Sequence, residues 1–250
     1  MPPRRDGIPM VVDTTGKVER LERLSLGERE ISEDWLQQRL SDCPELLPID
    51  EIDSGFGPLV LIGREVDTPV GPIDNLYVSP RGLLTLVEAK LWRNPEARRE
   101  VVGQIIDYAK EVSRWSYDDL DAKAKEISGK SLYELISTVG DDAPDEARFV
   151  DGVSRNMRAG RFLLLIVGDG IREEMERLAE FLQSTPQLRF SLALVELQLY
   201  RLSSDGRLLV MPIVVGRTTE VVRAVVRVVS PEGAHVDITI EVHPTKAYRV

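Results

Sequence analysis

Gly71-Pro72-Ile73-Asp74-Asn75-Leu76-Tyr77-Val78-Ser79-Pro80-Arg81-Gly82-Leu83-Leu84-Thr85-Leu86-Val87-Glu88-Ala89-Lys90 is the stretch on which the fold turns. Pro80-Arg81-Gly82 suits a three-residue hairpin loop, with proline presetting the first turn position and glycine taking the left-handed position of a bulge. That loop pairs Ser79 with Leu83. Counting back along both strands, Tyr77 meets Thr85, Asn75 meets Val87 and Asp74 meets Glu88. Side chains alternate faces along a strand, so Asp74 and Glu88 share a face with their side-chain origins about 5 Å apart, and Lys90, two residues after Glu88, lies on that face too. Charges at the end of so apolar a strand are expensive to bury, which marks the position as chemical.

On the N-terminal side, Ser32 can cap a helix whose early acids Glu33 and Asp34 suit the dipole and whose apolar residues Trp35, Leu36 and Leu40 recur at helical spacing, ending near Pro44. Residues 59–66 read as a strand, followed by the hairpin strands 73–79 and 83–91 in a meander. On the C-terminal side, Asn94 and Pro95 suit a helix start, and 96–114 carries Val101, Ile105, Tyr108 and Val112 along one side of a helix. Residues 116–160 are helix-like pieces broken by Gly129, Gly140, Pro144 and Gly152, an acidic helical insertion. A buried strand at 161–167, a helix at 171–183 and a strand at 190–202 then make a crossover, and 206–250 is a β-rich segment that either forms a small sheet or extends the main one. No repeat or low-complexity tract interrupts the chain.

The 250 residues carry 42 acidic and 32 basic side chains, a formal charge of -10, which argues against a protein that coats nucleic acid by bulk electrostatics. The charge is uneven: 19–53 and 118–151 are acidic, whereas 81–114 and 201–249 carry slightly more Lys and Arg than Asp and Glu, so an anionic partner should meet those two segments. One cysteine, Cys43, excludes an intramolecular disulfide and a cysteine-based zinc site and suits a reducing, cytoplasmic setting. Apolar runs such as 162–167 fall far short of the roughly 20 residues that span a bilayer, and Met1-Pro2-Pro3-Arg4-Arg5 leads into no signal-type apolar stretch, so no membrane partner is expected. Gly168-Asp169-Gly170 lacks the dinucleotide or P-loop pattern and reads as a strand-to-helix turn, with no nucleotide cofactor. His235 and His243 are too isolated to suggest zinc or a catalytic base.

Two carboxylates held so close repel unless a cation lies between them, and hard oxygen donors suit Mg2+ or Mn2+ better than zinc. A lysine two residues beyond the second acid can orient a water or neutralise the charge that builds on phosphorus during attack. The combination points to phosphodiester hydrolysis, against the alternative of an internal salt-bridge cluster.

Ile73-Asp74, Glu88-Ala89-Lys90 one hairpin later, and Gln104 with Tyr108 on the following helix together resemble the PD-(D/E)XK nuclease superfamily, with its restriction-endonuclease-like fold. The likeness is strongest to the small prokaryotic nucleases of genome maintenance and defence, where an early helix carries a Ser-Glu-x-x-Leu-Gln pattern. Here that pattern falls on Ser32, Glu33, Leu36 and Gln37. The motif's proline is replaced by Ile73, with Pro72 one residue earlier. The resemblance covers residues 31–110, and 161–202 by element order.

It implies an α/β fold with a nuclease-like domain at 31–205, in the order helix, three-strand meander, helix, strand, helix, strand. This would be preceded by an N-terminal extension at 1–30, with the insertion at 116–160 and the β segment at 206–250. It implies a Mg2+- or Mn2+-dependent endonuclease acting on DNA, with Asp74, Glu88 and the Ala89 carbonyl holding metal, Lys90 assisting the nucleophilic water and Glu33 as a further ligand or supporting group. Gln104 and Tyr108, four apart on one helix face, would contact DNA or steady the site. Arg93, Arg98 and Arg99 at the start of the long helix either grip phosphates or stand as solvated charges paired with Glu96 and Glu100. Trp92 either packs in the core or stacks on a base. Cutting two antiparallel strands is most simply done by a two-fold dimer. The alternative is a catalytically inactive nuclease-fold module that binds nucleic acid or a protein partner.

Overall fold

The computed structural model describes residues 9–24, 31–91, 97–169, 189–202, 206–217, 222–229 and 235–242. In chain order the elements are β1 (Met10–Val12), β2 (Val18–Arg20), β3 (Glu22–Leu24), α1 (Glu33–Asp42), α2 (Ile49–Asp53), β4 (Val60–Val66), β5 (Ile73–Val78), β6 (Leu84–Leu91), α3 (Ala97–Val112), α4 (Tyr117–Ser128), α5 (Leu132–Ile136), α6 (Glu146–Ala159), β7 (Phe162–Asp169), β8 (Ser191–Arg201), β9 (Leu208–Arg217), β10 (Val222–Val229) and β11 (His235–Val242). The expected helix at 171–183, the cap at Asn94-Pro95, Trp92, Arg93 and His243 lie outside the described residues.

The architecture is mixed α/β. Among the described residues a seven-stranded sheet runs β4-β5-β6-β7-β8 with β9 and β3 both on β8. The meander β4-β5-β6 is antiparallel, β6-β7-β8 is parallel, and β9 returns antiparallel to β8. The C-terminal segment therefore does both things open to it: β9 extends the main sheet, while β10 and β11 pair as a separate hairpin. The N-terminal extension is likewise divided. β1 and β2 form their own hairpin, but β3 joins the main sheet against the end of β8, Leu24 facing Leu199. Strand β8 is longer than β7, and its overhanging end offers β3 a free edge that no local pattern in residues 22–24 announces.

Both faces of the sheet are covered, so its central strands read as continuous apolar runs and not as an alternation. On one face Leu76, Val78, Leu84, Leu86 and Leu164 pack with Val101, Ile105, Tyr108 and Val112 of α3 and with α4, α5 and α6. On the other, Tyr77, Val87, Ala89, Leu163 and Leu165 pack with Leu36 and Leu40 of α1 and with α2. Among the described residues no helix is long and apolar enough to cross a membrane.

The hairpin turn adopts the expected geometry. Gly82 has φ +70°, the Ser79 N–H donates to the Leu83 carbonyl at 2.9 Å, and Tyr77 and Asn75 pair with Thr85 and Val87. Helix α6 lies directly on this turn, where Asn156 Nδ2 donates to the Arg81 and Gly82 carbonyls at 3.1 and 3.0 Å. A Cβ at Gly82 would run into the Val153 amide nitrogen and stand 2.7 Å from the Gly152 carbonyl carbon, both backbone atoms that cannot swing aside. With the positive φ added, Gly82→Ala is expected to cost about 3 kcal/mol in urea unfolding, and a loss below about 1 kcal/mol would mean that α6 does not dock this tightly.

Candidate functional site

Asp74 on β5 and Glu88 on β6 lie at the end of the hairpin away from the turn, 8% and 3% exposed. The ladder between the strands runs as far as Asn75–Val87 and then lets go. Instead of facing Glu88 squarely, the Asp74 carboxylate reaches to the next residue, and its Oδ2 accepts the Ala89 N–H at 2.6 Å. A carboxylate is a stronger acceptor than the carbonyl it replaces. Within a strand a residue's N–H and C=O point to the same neighbour, so the Ala89 carbonyl is aimed to the Asp74 side as well.

Helix α1 brings Glu33 to the same place. Ser32 caps the helix, its Oγ accepting the Trp35 N–H at 3.0 Å, which leaves Glu33 as the first helical residue. Its Oε1 accepts the Leu91 N–H at 3.0 Å and its Oε2 stands 3.4 Å from Lys90 Nζ. Both partners of that ion pair are partly exposed, 29% for the Lys90 side chain and 38% for Glu33, so the pair is a loose one that water competes for.

Burial dominates the electrostatics. It pushes the Asp74 carboxyl up to about 7, with the negative charges of Glu65 and Glu33 adding to the rise and the Ala89 N–H and Lys90 opposing it. Glu88 is pushed up to about 8 by burial and by Asp74, with Lys90 again opposing. Glu88 Oε2 is buried without a hydrogen-bond partner. Arg64 Nε, Asn75 Oδ1 and Thr85 Oγ1 are also buried and unpartnered, but among these groups Glu88 is the carboxylate, the one whose bare oxygen is most costly in its ionised form.

On α3, Gln104 Nε2 donates to the Tyr108 hydroxyl at 2.6 Å. Tyr108 is 1% exposed, and its hydroxyl stands 3.5 Å from where a Cβ at Gly71 would be, under the entry to β5. Burial, together with the nearby Glu88, Asp74 and Glu65 charges, raises its hydroxyl to about 12. A ring so enclosed offers no face for stacking, and of the two roles expected for this pair the geometry suits steadying the site. Gln104 is exposed beside it. Arg98 and Arg99 belong to the first turn of α3, and their side chains, like Arg93 entirely, are outside the described residues.

Sequence reading missed Glu65. It lies on β4 between the Arg64–Asn75 and Val66–Ile73 pairs, which puts it opposite Asp74, with a backbone φ of +49°. Strand periodicity gives no hint of this, because a bulge between Leu61 and Gly63 shifts the register first.

Among the described residues no three His, Cys, Asp or Glu side chains converge into a ready-made metal cage. The donors that fit a hard divalent cation are the Asp74 and Glu88 carboxylates and the Ala89 carbonyl, with the unpartnered Glu88 oxygen as the atom a cation would satisfy. No protein-family model, no curated protein and no solved structure matches this chain.

Proposed function

We propose that this chain is a Mg2+- or Mn2+-dependent endonuclease of the PD-(D/E)XK kind, hydrolysing phosphodiester bonds in DNA. The observation that carries the reading is the buried acid pair itself: two carboxyls driven upward by burial, one with an oxygen that no protein atom satisfies. Burying such a pair for stability alone gains nothing, since apolar residues of the same size would do better. A divalent cation supplies Lewis-acid polarisation of the phosphate and lowers the pKa of water.

The chain's own residues divide the remaining work. Asp74 and Glu88 hold the cation, with the Ala89 carbonyl beside them. Asp74 is oriented by the Ala89 N–H, which holds its Oδ2 at 2.6 Å. Lys90 carries the positive charge closest to that position along β6, where it steers a nucleophilic water and offsets negative charge developing on the phosphate. Glu33 stands 3.4 Å from the Lys90 ammonium and offers it a loose, partly solvated partner. Tyr108, its hydroxyl held by Gln104, packs beneath Gly71 at the entry to β5.

Purified protein incubated with Mg2+, and separately with Mn2+, against labelled single-stranded, duplex, mismatched and forked DNA with an RNA control tests this directly. Cleavage of at least one DNA form that EDTA abolishes is the expected result. Absence of cutting with retained gel-shift binding would replace it by the reading as a catalytically inactive module. Light scattering with and without DNA tests the two-fold dimer that cutting both strands would favour.

A further inference from the structure

On the face of the sheet that carries Glu88, the register runs on across three parallel strands. Glu88 stands beside Ile166 and Leu194, and two residues further along Lys90 stands beside Gly168 and Glu196. The first of these rows is core, with Ile166 and Leu194 packed among buried apolar side chains. At the second row β8 turns polar. Glu196, Gln198 and Tyr200 follow one another on that face, Gln198 Nε2 donating to Glu196 Oε1 at 3.1 Å and the Tyr200 hydroxyl donating to Gln198 Oε1 at 2.7 Å. Gln198 and Tyr200 are both buried, and burying polar groups is costly unless each is bonded, as here.

The N-terminal segment completes this network. Strand β3 takes the edge of β8 that β7 has left, with Arg23 facing Tyr200. From there the Arg23 side chain runs back towards the Lys90 row, and its Nη2 donates to Glu196 Oε1 at 2.9 Å. Lys90 and Glu196 are two strands apart, about 10 Å, with Gly168 and its missing side chain between them. The Arg23 side chain is 41% exposed and that of Glu196 13%, so a carboxylate steadied by Gln198 presents the guanidinium to solvent. A pair this exposed adds little to stability. A guanidinium is, however, the side chain best shaped to grip a phosphate. In parallel sheets ligands bind at the carboxyl ends of the strands, the end at which Lys90, Gly168 and Glu196 stand.

We propose that Arg23 is a phosphate-binding residue of this site, gripping the backbone of a nucleic-acid strand that continues past Lys90 across the ends of β7 and β8. Glu196 and Gln198 set the direction of the guanidinium. The proposal rests on the nuclease reading above and adds to it the path of the substrate. It brings into the site a strand from residues 1–30, which sequence order sets outside the nuclease-like domain.

The test reads binding of short labelled single-stranded and duplex DNA by fluorescence anisotropy over a series of KCl concentrations. It uses the full chain in EDTA, and the Lys90→Ala chain with Mg2+ so that the DNA stays uncut. Arg23→Ala is expected to weaken binding by about tenfold and to lower the slope of log affinity against log salt by about one, the loss of one phosphate contact. Arg23→Lys keeps the charge and should restore the slope. Glu196→Gln keeps an acceptor for Arg23 and removes a negative charge, so it should bind DNA at least as tightly as the parent. Arg114→Ala, an arginine also paired with an acid but following α3, should leave binding unchanged. Affinity within about twofold and an unaltered slope in Arg23→Ala overturn the proposal and leave the nuclease reading standing. Equal weakening by Arg23→Ala and Glu196→Gln, with a lower melting temperature in both, assigns the pair to structure and overturns it equally. No DNA binding by the unsubstituted chain in EDTA or by Lys90→Ala with Mg2+ overturns this proposal and the nuclease reading together.

Discussion

Glu88→Gln and Lys90→Ala are each expected to reduce metal-dependent DNA cleavage by about a thousandfold or more while leaving a folded protein, through two different losses. Glutamine keeps the size of Glu88 but removes the charge that would hold the cation, leaving at that position a neutral amide with one oxygen donor and a far weaker hold on Mg2+. Alanine at 90 leaves both carboxylates in place and removes the ammonium that would face the reacting phosphate, an effect worth about a hundred- to a thousandfold for a single preorganised donor and more where the group also positions water.

The two variants are expected to separate in Mn2+ binding, lost in Glu88→Gln and retained in Lys90→Ala. They separate again in stability without metal. Glu88→Gln removes a buried charge and should raise the melting temperature in EDTA at pH 8, whereas Lys90→Ala removes the cation that favours both carboxylates and should lower it. Single-turnover cleavage with circular-dichroism melting of each variant checks both. Activity within tenfold of the unsubstituted protein in either one would remove that residue from the site.

Stability in EDTA is expected to fall as pH rises from about 5 to 8, and Mg2+ is expected to restore it most at the upper end. The folded chain holds the Asp74 proton up to about 7 where the unfolded chain releases it near 3.8, and the Glu88 proton up to about 8 in place of 4.5. Between those limits the folded state binds more protons than the unfolded one, so the contribution of these two groups is full below about pH 4 and is lost as pH climbs through the folded values. Two such groups together contribute on the order of 3–6 kcal/mol across that range, roughly 10 °C in melting temperature for a chain of this size.

A divalent cation held by the ionised pair would compete with the protons and stabilise the folded state by mass action, so its effect is expected to grow with pH. Differential scanning calorimetry at pH 5, 6.5 and 8, with EDTA and with Mg2+, measures this, and the Asp74→Asn, Glu88→Gln double variant should flatten both dependences. A melting temperature in EDTA that holds level over this range in the unsubstituted protein, or a Mg2+ effect equal at pH 5 and 8, would contradict a buried acid pair poised for metal.

Much of this site is legible in order along the chain because it is built from local rules. Proline and glycine at Pro80 and Gly82 demand one hairpin loop, and that loop alone sets which residue of β5 faces which residue of β6 as far as Asn75 and Val87. Ser32 announces α1 because a side-chain oxygen must satisfy the first free amides, and α3 follows from its apolar spacing. These are contacts between near neighbours in sequence, and residue type carries them.

The tertiary structure decided the rest. Whether Asp74 would face Glu88 or turn to the Ala89 amide depended on where the ladder ends, and that depended on the strands on either side. Whether Arg64 or Glu65 would stand opposite Asp74 turned on one extra residue in β4, which leaves the composition of that strand unchanged and reverses the charge at its most sensitive position. Strand β3 reached across the chain to the overhanging end of β8, for reasons of packing that no window of neighbouring residues contains. Sequence by itself determined the hairpin, its acids and the helices around it, since those follow from backbone preference and spacing. The assembled sheet alone decided which charges meet, because a register shift in one strand is resolved only when its partner strand is in place.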